Sequence, residues 1–122
     1  MMHEFKGIDH VQLAAPKNCE DKTRHFYEDI LGMEEIPKPE KLRVRGGVWF
    51  QCGIHEVHIG VQEDFHPAKK AHPGFEVKNV LELGAHLKAQ GIEIKVDETR
   101  NDVTRFFVND PFGNRLEFLE WN

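Results

Sequence analysis

The sequence predicts an α+β fold of two βαβββ modules that form a curved mixed sheet with the helices on the outside. Three observations predict it. Apolar periodicity runs strand, helix, strand, strand, strand, and restarts after the polar segment 63–71. Each copy opens on a strand carrying a His (His10, His72) and later reaches a helix-ending Gly (Gly32, Gly91). Each copy closes on a strand that sets one polar residue between two apolar ones, Val57-His58-Ile59 and Leu116-Glu117-Phe118. The expected organisation is one domain over 1–122, with module 1 about 1–66 and module 2 about 67–122.

The elements follow in order. Gly7 to Ala15 alternates as a strand, with Ile8, His10, Gln12 and Ala14 on one face. Pro16 ends it, and Asn18 is the expected helix N-cap ahead of acidic Glu20 and Asp21. Phe26, Tyr27, Ile30 and Leu31 carry the helical stripe, and Gly32 closes it. Met33 to Glu40 is punctuated by Pro and reads as extended. Val44 to Cys52 and Glu56 to Gln62 read as strands around a turn at 53–55. In the second copy His72 to Val77 reads as a strand, and Asn79 as an N-cap. Val80, Leu83, Gly84 and Leu87 form the next helical stripe. Ile92–Val96, Val103–Asn109 and Arg115–Trp121 read as strands, the last two joined by a turn at 110–114.

Composition excludes several function classes. The chain has 122 residues, a formal net charge of −5 with neutral His, and a pI near 5.9, which gives no reason to expect nucleic-acid binding. No apolar run approaches the roughly 20 residues that span a bilayer, so no membrane partner is expected. The start, Met-Met-His-Glu-Phe-Lys-Gly, shows no apolar signal region, and Cys19 and Cys52 read as ordinary thiols, so the expected location is cytoplasmic. The eight His are many for this length.

Strand parity sets His10, His58, His72 and Glu117 opposite the apolar faces that cover the helices. Two or three His with one carboxylate suit a divalent ion with open positions, such as Zn, Ni, Fe or Mn. His58 is a fourth ligand, a neighbour that orients a ligand, or a substrate contact. Lys41, Arg43 and Arg45 alternate as a basic row, either a solvated strand face or a rim for an anionic substrate. Arg105 has the same two readings. Trp49 is either core or pocket lining.

Four segments carry a family resemblance: Gly-Ile-Asp-His-Val-Gln-Leu (7–13), Phe-Tyr-Glu-Asp-Ile-Leu-Gly-Met (26–33), Ala-His-Pro-Gly-Phe-Glu-Val (71–77) and Asp-Pro-Phe-Gly-Asn-Arg-Leu-Glu-Phe (110–118). Together they resemble the vicinal oxygen chelate superfamily, which includes glyoxalase I, extradiol dioxygenases, fosfomycin resistance transferases and bleomycin resistance proteins. The resemblance implies metal ligands at His10, His72 and Glu117, with His58 at the remaining family position. Glyoxalase I carries Glu where His58 stands. The fosfomycin and dioxygenase branches use a two-His, one-Glu set.

The implied function is a metal-dependent enzyme of the glyoxalase type. It would act on a small substrate with two neighbouring oxygens by proton transfer through an enediolate, with Glu117 as the catalytic base. Arg43, Arg45, Trp49 and Arg105 are the candidate substrate contacts. The alternatives are thiol transfer, ring cleavage, or metal-free sequestration of a ligand. A homodimer is expected, since the family often pairs modules between chains.

Overall fold

The computed structural model describes residues 2–122; Met1, the first residue of the N-terminal stretch read above, lies outside them. The chain divides into two compact units, Met1–Glu63 and Asp64–Asn122. Each carries its own four-stranded mixed sheet and a helical layer, and the two repeat the βαβββ order that the sequence predicts.

In the first unit, β1 (His10–Ala15) is followed by α1 (Glu20–Thr23), which runs on as a π-helix over Arg24–Ile30. Then come β2 (Glu34–Ile36), α2 (Glu40–Arg43), β3 (Val48–Cys52) and β4 (His55–Val61). The sheet order is β1-β4-β3-β2, with β1 parallel to β4 and the remaining pairs antiparallel. Ala15, Val48, Phe50, Val57 and Ile59 are buried on one face of this sheet. Tyr27 of the π-helix stacks on Phe50 there, with ring centroids 5.7 Å apart, so this is the helix-covered face. Gly32 takes φ 80° and its amide donates to the Glu28 carbonyl, closing the helix as predicted.

Three expectations in this unit are corrected. Asn18 is not the N-cap: it adopts a left-handed φ of 65°, and Cys19 occupies the cap position without a side-chain cap. The first strand begins at His10 rather than Gly7. The strand expected over 44–52 starts only at Val48. Pro39 opens the short helix α2, and Gly46 (φ 76°) and Gly47 (φ 86°) then turn the chain into β3. Lys41 and Arg43 alternate in sequence but sit on a helical turn.

In the second unit, β5 (Gly74–Glu76) leads to α3 (Val80–Ala89), β6 (Lys95–Asp97), β7 (Val103–Asn109) and β8 (Arg115–Trp121), in sheet order β5-β8-β7-β6. Phe75, Phe106 and Phe118 stack on the helix-covered face. His72 precedes β5 instead of lying in it. Pro73 follows it and has no N–H to give a ladder, and its carbonyl accepts from the Glu117 amide at 3.1 Å.

Asn79 holds the N-cap position, but with φ 57° and no side-chain cap. The carboxylate of Glu120 does that work, accepting the amides of Asn79 and Val80, each at 3.1 Å. Two orphan donors and the positive end of α3 are thereby satisfied by a neighbouring strand. Glu120→Ala is expected to lower stability by about 1 kcal/mol, read as a shift of the urea midpoint at unchanged slope.

Candidate functional site

Each unit presents polar residues on the sheet face opposite its helix. In the first unit, register sets Trp49 beside His58 and Gln12 beside His58. The result is a three-ring stack. Trp49 lies on His58 at 3.8 Å with planes 4° apart, and His10 lies on His58 at 4.3 Å with planes 19° apart. His58 is buried, and its Nε2 meets Glu56 Oε1 at 2.9 Å. His10 is the open end of the stack: its side chain is 45% exposed, and its Nδ1 meets Asp9 Oδ2 at 2.9 Å.

In the second unit, His72 Nδ1 meets the Lys70 carbonyl at 2.8 Å. A carbonyl only accepts, so Nδ1 carries the hydrogen and the ring is oriented with Nε2 toward Glu117. Nε2 lies 2.9 Å from Glu117 Oε1. Phe107 meets His72 edge-on at 5.2 Å. Glu117 is buried, and its other oxygen, Oε2, accepts from Arg105 Nη1 at 3.2 Å. Arg105 Nη2 in turn reaches Asp97 Oδ2 and Thr99 Oγ1, each at 3.3 Å. The hydroxyl and amide of Thr99 bond Asp97 Oδ1 and hold its carboxyl below the usual aspartate range. Arg105 therefore fixes one oxygen of Glu117 and leaves the other against His72.

The expected site residues fall into three groups. His10, His58 and Trp49 come together in the first unit, and His72, Glu117 and Arg105 in the second. Arg43 and Arg45 join neither group. They line a cleft on the helix-covered side of the first unit, bounded by Val48 and Val61. Among the described residues no three His, Cys, Asp or Glu side chains are grouped to hold an ion. Burial raises the thiol of Cys52 above its ordinary value, which is not the setting of an activated nucleophile. Glu56, Asp97 and the Lys70 carbonyl are partners of the site that the sequence pattern did not bring forward. Glu56 and Asp97 share strand faces with His58 and Arg105, which is the signal that could have found them.

Glu20 supports this unit from the other side of the sheet. Its Oε2 accepts the Gly47 amide at 2.7 Å, and this bond, first among its causes, holds the carboxyl below the usual glutamate range. A lowered carboxyl pKa stabilises the fold fully above the ordinary glutamate value and loses that contribution as pH falls through the lowered one. Glu20→Gln is expected to cost about 1 kcal/mol at pH 7 and less than half of that at pH 3, measured by urea denaturation at both values.

Two four-stranded sheets built from repeated βαβββ units define the glyoxalase-like architecture of the vicinal oxygen chelate proteins. The family model of the Glyoxalase/Bleomycin resistance protein/Dioxygenase superfamily matches residues 7–118, and the chain belongs to that superfamily. A crystal structure of a protein assigned to the glyoxalase family from Bacillus anthracis is 56% identical over 100% of both chains, with a TM-score of 0.98. A glyoxalase family protein from Enterococcus faecalis is 30% identical, covering 95% of this chain and 98% of its own, at TM-score 0.68. Lactoylglutathione lyase from Agrobacterium tumefaciens shares the fold at 21% identity and TM-score 0.76, over 97% of this chain and 96% of its own. Among curated proteins none matches the chain significantly.

Proposed function

We propose that the protein is a divalent-metal-dependent enzyme that moves a proton between adjacent carbons of a small substrate with two neighbouring oxygens. The single observation that carries this reading is the His72–Glu117 pair. An imidazole with its Nδ1 pinned by a carbonyl and a carboxylate with one oxygen pinned by Arg105 turn Nε2 and Oε1 toward each other at 2.9 Å. Two adjacent ligands at about 2.1 Å from one ion stand about 3 Å apart in octahedral and about 3.4 Å in tetrahedral geometry, so a shift of a few tenths of an ångström at most would fit the donor pair to a divalent ion. Two donors do not hold such an ion alone. The reading requires a third ligand, the role that the superfamily resemblance gives to His10. His58 backs His10 as a stacked ring, since its Nε2 is engaged by Glu56.

The ion would supply Lewis acidity to the two substrate oxygens. The chain supplies the rest. Glu117 Oε1 is the oxygen that would take and return the proton, on leaving the ion to do so, because Oε2 stays on a guanidinium that does not deprotonate. Phe107 and Trp49 offer apolar walls beside the two half-sites.

Metal content after reconstitution with Zn, Ni, Fe and Mn, together with deuterium exchange from solvent into α-hydroxycarbonyl compounds, tests the reading. Bound ion and metal-dependent exchange are the expected result. A reconstituted protein without stoichiometric metal overturns it, and tight ligand binding in the presence of a chelator would then identify a sequestering protein.

A further inference from the structure

The cleft that holds Arg43 and Arg45 has a volume of ≈ 810 Å³, within the range that accommodates small ligands. It lies on the helix-covered side of the first sheet. Its walls include Val48 and Val61, whose neighbours Trp49 and Gly60 belong to the polar face with His58, so it is separate from the half-site described above.

Its charge is unusual for this chain. Arg24 and Glu35 satisfy one another through two bonds of 2.9 and 3.3 Å. Lys17, Lys38, Arg43 and Arg45 then face only Glu20 and Glu63, a surplus of two positive charges in a protein of formal net charge −5. Glu20 is turned toward the Gly47 amide. The cations are also positioned. Lys38 Nζ donates to the Gly46 carbonyl, and Arg43 Nε donates to the Lys38 carbonyl at 3.3 Å. These bonds fix the 38–46 loop around the cleft while leaving charge excess at its mouth. A concave wall with a surplus of positive charge attracts and concentrates anionic counter-ions. Two guanidinium forks match the paired oxygens of phosphoryl or carboxylate groups.

We infer that this cleft is a binding site for a small multiply anionic molecule, separate from the metal chemistry and independent of it. Phosphoryl and carboxylate groups share the chemistry it recognises, and the experiment distinguishes them. The full-length protein is titrated with inorganic pyrophosphate and, in parallel, with citrate at low ionic strength, following backbone amides by NMR. Saturable shifts at Gly46, Gly47 and Arg45 are expected, with Kd on the order of 0.1–1 mM and at least tenfold weakening in 0.2 M salt. The tighter of the two probes identifies the group recognised. Arg43→Gln combined with Arg45→Gln is expected to weaken binding at least tenfold. Both side chains are exposed, and an unchanged unfolding midpoint shows that the fold is kept. Lys78→Gln with Lys88→Gln removes the same charge elsewhere and is expected to leave binding within about twofold by the same screening argument. Absence of saturable shifts with both probes overturns the inference, as does equal weakening by the two double variants, which would reveal net charge alone.

Discussion

Glu117→Gln is expected to weaken divalent-ion binding by at least 10- to 100-fold and to slow substrate proton exchange by about 10²–10⁴. Gln is nearly isosteric and keeps an amide oxygen that can accept from Arg105, so the half-buried guanidinium retains a partner and the fold should persist. What is lost is the negative charge at Oε1 and its capacity to hold a proton. His72→Ala removes the other half of the pair and should weaken the ion comparably while leaving Glu117 with Arg105. The two effects should not add if both side chains serve one ion, as proposed. Isothermal titration with the metal, deuterium exchange and thermal unfolding of the metal-free variants separate the roles. Full metal affinity and exchange in folded Glu117→Gln would overturn the assignment of this carboxylate. Loss of folding would send the test to Glu117→Asp, expected to retain ion binding but to lose exchange through the shortened side chain.

Much of this was legible in the sequence where periodicity is long and uninterrupted. β7 and β8 lie where alternation sets them, and parity alone sets His58 and Glu117 on the face opposite their helix-covered apolar neighbours. The segment 40–47 was not legible in the same way. Lys41, Arg43 and Arg45 alternate like a strand, but Pro39 favours a helix start and the Gly46-Gly47 pair permits two left-handed residues that end any extended run. Alternation therefore read as extended a segment that is a helical turn followed by a double-glycine turn. Partner choice was equally hidden. The Trp49–His58–His10 stack depends on cross-strand register, and the role of Arg105 depends on β6 bringing Asp97 opposite it. Neither register is a local property of the residues concerned. The Glu120 cap is the same case over a longer separation: the donor amides belong to the N-cap and first residue of α3, and the acceptor belongs to β8.

Gly47→Ala is expected to destabilise the protein by about 3 kcal/mol or more, a large part of the 5–15 kcal/mol typical of a domain. Two costs combine. The φ of 86° is one that a side chain adopts only with strain, worth about 1–2 kcal/mol. A Cβ there would also sit 2.0 Å from the Ile59 carbonyl oxygen and 3.1 Å from its carbon. Both are backbone atoms of β4, and Ile59 pairs with Val48 at the first rung of β3. The strand cannot retreat without opening that rung, and Gly47 cannot retreat without giving up its 2.7 Å bond to Glu20. Gly53→Ala is the control. Gly53 also has a left-handed φ, 59°, but a Cβ there meets nothing within 4 Å. It should cost only the conformational part, about 1 kcal/mol. Urea denaturation of the two variants therefore isolates the collision from the strain. Equal losses in both would show that β4 yields, and that the close approach of Gly47 to Ile59 is not what fixes the entry into β3.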